Sequence, residues 1–451
     1  MLKVGFYEKE ITPPLGCDIP GYYSKRVSDG VVDKLYIKAV AISDGKETVV
    51  MAAADACGMD LGVHDEILKR ASEYTGISSD HMSLSATHTH TGIPRKGLPG
   101  APVQGDDAFD EYFIRIGADC ITLAVQSMQE AKVKFGKGYV DSISFNRVYN
   151  MADGRIQTAP EIGDPEVLGP HGPIDPELTV LYAEDMQGKP MGAIVNFACH
   201  PDVIKGTKYS GDWPSVVSYG MKDAYGRDFV SLFVNGTCGN INHVDVMGAT
   251  EYPPSSHYIK MGKIVAAEAI KAISQAQEVQ GDTVASNKVY LKMPERDWDM
   301  EKINNAKHIV ATIKPIEGLT LALGTGNQEQ EDLMVAQQLL RAYDARQEYR
   351  MVGVQAARVG DCYLYAVPGE MYVQFGLYVK EHSPSDKNIV AELSHGYSGY
   401  IPLKDLMYDT VYESRRTTFV LQPGAGELIA ETAAKLAAEL AWIRTLKGLE
   451  R

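Results

Sequence analysis

Apolar and polar positions along this 451-residue chain repeat with a period that switches between two and about 3.6 residues, the periods of strand and helix. Residues 35–43 and 48–54 are apolar runs around Asp44-Gly45-Lys46-Glu47, which predicts a hairpin with Asp-Gly turn chemistry. An amphipathic helix is predicted over 63–74. A short strand over 82–86 runs into Thr87-His88-Thr89-His90, and a long helix is predicted over 107–131. A second hairpin, 178–184 with 192–199, ends at His200. The apolar strand 229–234 leads into a Gly-flanked turn containing Cys238. Helices are predicted over 255–276 and 328–349. A third hairpin, 352–358 with 363–367, closes at Gly360-Asp361. Pro368-Gly369-Glu370 is expected to start a helix, and 424–446 to form the last one. This is a mixed α/β pattern whose hairpins exclude a purely parallel sheet. With no internal repeat and no low-complexity linker, a single domain over 1–451 is expected.

Composition narrows the function classes. Hydrophobic residues at 45% and charged residues at 23% describe an ordinary globular chain and exclude a disordered one. The balance of 44 basic against 59 acidic residues gives a net charge of −15, which argues against nucleic acid and anionic membrane surfaces as partners. No stretch reaches the roughly 18 apolar residues of a membrane span. The opening Met1-Leu2-Lys3-Val4-Gly5-Phe6 runs into polar residues, so no secretory leader is expected. Six scattered cysteines without a CxxC pair fit a reducing cytoplasm.

The candidate chemistry lies at strand ends. His88 and His90, two apart on extended chain, can face one pocket, one as a metal ligand and one beside it, or can be a pair of hydrogen-bonded surface histidines. His200 ends another strand. Glu370 is placed where it could complement a helix dipole, and Tyr400 where it could simply pack. Asp55 reads as a polar strand end, Asp212 as a helix cap and Trp213 as a pocket wall. The Gly-rich runs match neither phosphate-loop nor dinucleotide spacing, so no nucleotide cofactor is suggested.

Five segments, in order, resemble the catalytic domain of the neutral, non-lysosomal ceramidases. They are Glu10-Ile11-Thr12-Pro13-Pro14-Leu15-Gly16 with Gly21-Tyr22; Ser85-Ala86-Thr87-His88-Thr89-His90-Thr91-Gly92; Asn146-Arg147; Pro368-Gly369-Glu370; and Tyr397-Ser398-Gly399-Tyr400-Ile401 with Tyr412-Glu413. The resemblance implies an α/β fold of central mixed β-sheets flanked by outer helices. It also implies one Zn²⁺ held by His88, His200, Glu370 and Tyr400. His90, Arg147 and Tyr412 become pocket residues around the reacting carbonyl. Such an N/O ligand set suits catalytic zinc with an open position, and zinc can lower the pKa of its bound water to about 7.

The chain departs from the family where ceramidases read Gly-Asp-Val-Ser-Pro. Here the run is Gly239-Asn240-Ile241-Asn242-His243, so the serine hydroxyl is replaced by the Asn242 amide, which can still donate a hydrogen bond. The family's carboxy-terminal immunoglobulin-like domain has no counterpart in the sequence. The expected function is therefore zinc-dependent hydrolysis of a non-peptide amide in a small molecule that is smaller or more polar than ceramide. Two other readings remain: a thiol hydrolase built on Cys238 with His243, and a binding protein that kept the pocket without turnover.

Overall fold

The computed structural model describes residues 1–22, 25–95, 106–248, 253–316 and 327–449. The larger sheet contains β1 (Lys3–Glu10), β2 (Tyr36–Ser43), β3 (Thr48–Ala54), β4 (Met82–Ala86), β5 (Gln129–Tyr139), β6 (Glu177–Asp185), β7 (Pro190–Phe197) and β8 (Val230–Asn235). Their order is β8-β7-β6-β5-β1-β2-β3-β4, with the short strand Gln277–Glu278 added beside β5. The β7–β8 and β3–β4 pairs are parallel and the rest antiparallel. A smaller sheet runs β9 (Val284–Pro294), β10 (Tyr349–Val359), β11 (Cys362–Ala366) and β12 (Asn388–Ala391), with β11–β12 parallel.

The two sheets stack face to face, with helices outside both. Alternation along β2 shows why. Ile37, Ala39 and Ala41 face α1 (Leu61–Thr75) and α2 (Asp107–Gln126), packing with Ile67, Leu68, Phe113 and Ile121. Val40 and Ile42 face the other way and meet Val359, Leu364 and Ile389 of the smaller sheet. On the other half of the larger sheet, Ala193, Val195 and Phe197 pack against α3 (Trp213–Tyr225) and α4 (Pro254–Ser274). Two peripheral helices, α5 (Met300–Thr312) and α6 (Gln328–Asp344), pack on each other. The outer face of the smaller sheet is covered by α7 (Val373–Glu381) and α8 (Ala425–Leu449). Ile429, Ala433, Leu436, Ala437 and Leu440 give α8 its buried stripe at helical spacing. Among the described residues, no helix is long and apolar enough to cross a membrane.

Three expectations are corrected. The helix expected to reach residue 131 stops at Gln126, because 129–139 change to a period of two that buries Ala131, Val133 and Phe135 in β5. The helix expected over 328–349 stops at Asp344, and Tyr349 pairs with Pro294 to open β10. Glu370 does not begin a helix. It lies in the two-residue strand Glu370–Met371, parallel to Tyr400–Ile401, and α7 starts at Val373. The three expected hairpins are present, as are the strand after residue 228 and the closing helix.

Candidate metal centre

The carboxyl ends of β4, β7, β8 and β11 open onto one buried point between the two sheets, and each delivers a loop to it. After β4, His88 takes a left-handed backbone (φ 74°), unusual for a residue with a side chain. Its Nδ1 lies 2.7 Å from the Cys57 carbonyl oxygen and its Nε2 lies 3.0 Å from Glu370 Oε2. After β7, His200 sets Nδ1 at 2.8 and 2.9 Å from the carbonyl oxygens of Cys238 and Ile241. Its Nε2 is 3.2 Å from Glu370 Oε2 and 3.4 Å from the Tyr400 hydroxyl.

Glu370 and Tyr400 are register partners in their short parallel pair, so their side chains leave on the same face. That pair needs Gly369 at φ 63°, where a Cβ would stand 2.6 Å from the Gly399 carbonyl oxygen. Gly239 lets the β8 loop approach equally closely, since a Cβ there would sit 2.4 Å from the Glu370 carbonyl oxygen. The hydroxyl of Tyr397 donates to Glu370 Oε1 and fixes the carboxylate from behind.

This donor set fits a divalent cation. Both imidazoles face backbone carbonyls with Nδ1, so Nδ1 carries the proton and the Nε2 lone pairs point at the shared site. One donor atom each from His88, His200 and Glu370 lies within 4.8 Å of the others, and all three residues are buried. Burial opposes ionisation of Glu370, yet His88 and His200 hold its carboxyl well below the usual range. Burial also opposes charge on His88, and Glu370 then raises its pKa well above the ordinary value. A carboxylate and two histidines are thus electrostatically tied together in a dry pocket, the arrangement a cation relieves.

The remaining expected residues surround this point. His90 Nε2 is 3.4 Å from His88 Nε2, and burial together with His88 lowers the pKa of His90 well below its ordinary value. Arg147 lies over the Tyr400 ring, with its guanidinium carbon 5.3 Å from the centroid. Its Nε donates to Glu413 at 2.6 Å, and its Nη2 donates to the Gly239 carbonyl oxygen at 2.6 Å. Tyr412 meets Tyr400 edge to face at 5.5 Å. Asn242 is turned elsewhere, donating Nδ2 to both carboxylate oxygens of Asp202 at 3.3 and 3.2 Å. Asn240 is a brace: its Oδ1 accepts from Val373 N at the start of α7. Asp55 accepts from Tyr36 N and Thr87 Oγ1 behind the histidine loop. Asp212 caps α3 as expected. Trp213 is no pocket wall but a fully buried core residue that packs on Phe197 and Phe233.

Sequence reasoning missed Tyr397, Glu413 and the two cysteine carbonyls as supports of the site. Tyr397 and Glu413 stand inside the quoted motifs, but nothing local shows which atoms they touch. Cys238 is a poor nucleophile. Its sulfur lies 2.8 Å from Glu392 Oε1, and burial followed by Glu392 pushes the thiol well above its ordinary pKa. His243 is engaged with Asp202 at 3.3 Å.

Residues 2–241 match the family model for the neutral/alkaline non-lysosomal ceramidase N-terminal region. The chain belongs to this ceramidase family. Among curated ceramidases, neutral ceramidase A of Dictyostelium discoideum is 25% identical over 220 residues, which is 46% of this chain and 29% of that protein. Neutral ceramidase of Pseudomonas aeruginosa is 25% identical over 193 residues, 40% of this chain and 27% of that protein. These matches span less than a third of either relative's length. The crystal structure of the Pseudomonas aeruginosa neutral ceramidase superposes with a TM-score of 0.73 at 19% identity, covering 97% of this chain and 74% of that one. A structure titled as ceramidase complexed with C2 gives 0.71 at 18% identity over 98% and 75% of the two chains. The likeness to the ceramidase fold therefore extends over 97% of the chain, beyond the family match.

Proposed function

We propose that this chain is a single-domain, zinc-dependent hydrolase that cleaves a non-peptide amide in a small molecule more polar or compact than ceramide. The observation that carries the reading is the meeting of His88 Nε2, His200 Nε2, Glu370 Oε2 and the Tyr400 hydroxyl from four separate segments. Zinc held there supplies the Lewis acidity that makes water a nucleophile near neutral pH. Tyr397 holds Glu370 in place, and the Cys57 and Cys238 carbonyls hold the two imidazoles. Arg147, anchored by Glu413 and Gly239, presents a fixed positive charge to a substrate oxygen. His90, kept neutral by burial and by His88, would take a proton at Nε2 from the attacking water and hand it to the leaving nitrogen. The Tyr412 hydroxyl completes the rim, whereas Asn242, bonded to Asp202, takes no part in it. All six cysteines are free thiols, which supports a reducing cytoplasmic setting.

Metal analysis of protein purified without chelator tests the reading. About one zinc per chain is expected, falling sharply in His88→Ala and His200→Ala, since each removes a ligand. A screen of N-acyl amides with zinc present should then yield a substrate. Metal below about 0.2 per chain in wild type, with none regained on zinc addition, removes the proposal. Zinc bound without turnover of any amide would leave the binding-protein reading.

A further inference from the structure

A second group of donors lies beside the first. One donor atom from each of Cys57, His88 and His90 falls within 4.8 Å of the other two, and all three residues are buried. The Cys57 sulfur is 3.9 Å from His88 Nδ1. His90 Nδ1 is buried with no hydrogen-bond partner among the described residues, an unusual state for a polar atom out of water. A thiol and two imidazoles form a softer set than the two imidazoles, carboxylate and phenol next to them.

We propose that Cys57, His88 and His90 form a second cation position, which takes thiophilic divalent ions such as Cd²⁺ and inhibits by competing for His88. The Cys57 thiol gives up its proton to solvent as the sulfur–metal bond forms, and no electron changes hands. His88 has its Nδ1 engaged with the Cys57 carbonyl, so Nε2 is the atom it offers, and Nε2 already faces Glu370. An ion that takes this nitrogen together with Cys57 and His90 competes for His88 with the site shared by His200, Glu370 and Tyr400. The inhibition rests on the functional reading above, in which His88 holds the catalytic ion. Binding at Cys57 does not depend on it.

The test is titration of the zinc-loaded protein with Cd²⁺, followed by near-ultraviolet absorption for cadmium–thiolate charge transfer and by release of zinc. The band is expected in wild type and in the remote control Cys362→Ser, and is expected to vanish in Cys57→Ser and Cys57→Ala. Cadmium-edge X-ray absorption on the wild-type protein gives a second measure if both Cys57 variants fail to fold, with one sulfur expected among the nearest neighbours. No thiolate band and no sulfur neighbour, or a band that survives loss of Cys57, overturns the proposal. Amide turnover without the band defeats this inference alone. A Cys57-dependent band in a protein that turns over no amide defeats the catalytic reading alone, and a protein that binds neither ion defeats both.

Discussion

Three of the four proposed ligands, His88, His200 and Glu370, are fixed from behind by a partner that aims one atom at the shared point. For Glu370 that partner is the Tyr397 hydroxyl. Tyr397→Phe keeps the ring and removes the hydrogen bond, so zinc affinity should fall about 10- to 100-fold with the fold intact. Competition with a chelator of known affinity measures this, and unchanged affinity would show that Tyr397 only packs. Arg147 depends on Glu413 in the same way, within a pair that is nearly dry. Glu413→Gln leaves a buried guanidinium without its counter-charge, and stability should drop by about 3–5 kcal/mol in chemical unfolding. A loss under about 1 kcal/mol would mean that the Tyr400 face and the Gly239 carbonyl hold Arg147 unaided. At this scale the sequence shows residue types but not their partners. His88, His200, Glu370 and Tyr400 stand out once the ceramidase motifs are seen, whereas Cys57 and Tyr397 gain meaning only from the atoms they touch.

Short elements, more than long ones, set the geometry of the centre. The parallel pair Glu370–Met371 with Tyr400–Ile401 places two of the four donors side by side, and Gly369 makes it possible. Gly369→Ala forces a left-handed alanine, costing about 1–2 kcal/mol before any clash with the Gly399 carbonyl is counted. Zinc affinity should fall with it, and a variant that binds zinc as wild type would show that the pair is not needed. The start of α3 carries a pH signature. Asp212 accepts from Trp213 N and Ile204 N while fully buried, and burial raises its pKa from 3.8 to about 7. The folded chain thus holds this proton more tightly than the unfolded chain does. The stabilisation is complete below pH 3.8 and is lost as pH rises through about 7. Thermal unfolding from pH 5 to 8 should show wild type losing stability that Asp212→Asn does not lose, and parallel curves would refute the assignment. The asparagine at 240 illustrates the limit of motif reading. The ceramidase motif leads one to look for chemistry at this position, yet the side-chain carbonyl oxygen of Asn240 accepts from Val373 N at the start of α7.

Across the whole molecule, the four proposed ligands come from loops after β4, after β7, after β11 and after β12, so a bound ion fastens the larger sheet to the smaller one. Zinc at about 100 times its dissociation constant should add roughly 2.7 kcal/mol of stability. The unfolding temperature should rise with added zinc and fall on chelation, and an unfolding temperature indifferent to both would place no ion there. Much of the framework was legible without coordinates. Alternation in 35–54, 178–199 and 352–367 specifies strands, because a half-buried strand must repeat every two residues, and the stripe in α8 specifies a helix for the equivalent reason. The end of α2 is hidden in the sequence because 107–131 holds enough apolar residues to mask the change of period at Gln129. Glu370 was assigned to a helix because a Pro-Gly turn looks alike before either element. Local pattern thus determined which segments are strands and helices and which side chains could bind metal, since those properties belong to residues and their near neighbours. Only the tertiary structure decided that Glu370 lies beside Tyr400, that Asn242 faces Asp202 and that Cys57 sits next to His90. Such contacts are set by how two sheets close on each other, and no short stretch of chain encodes that.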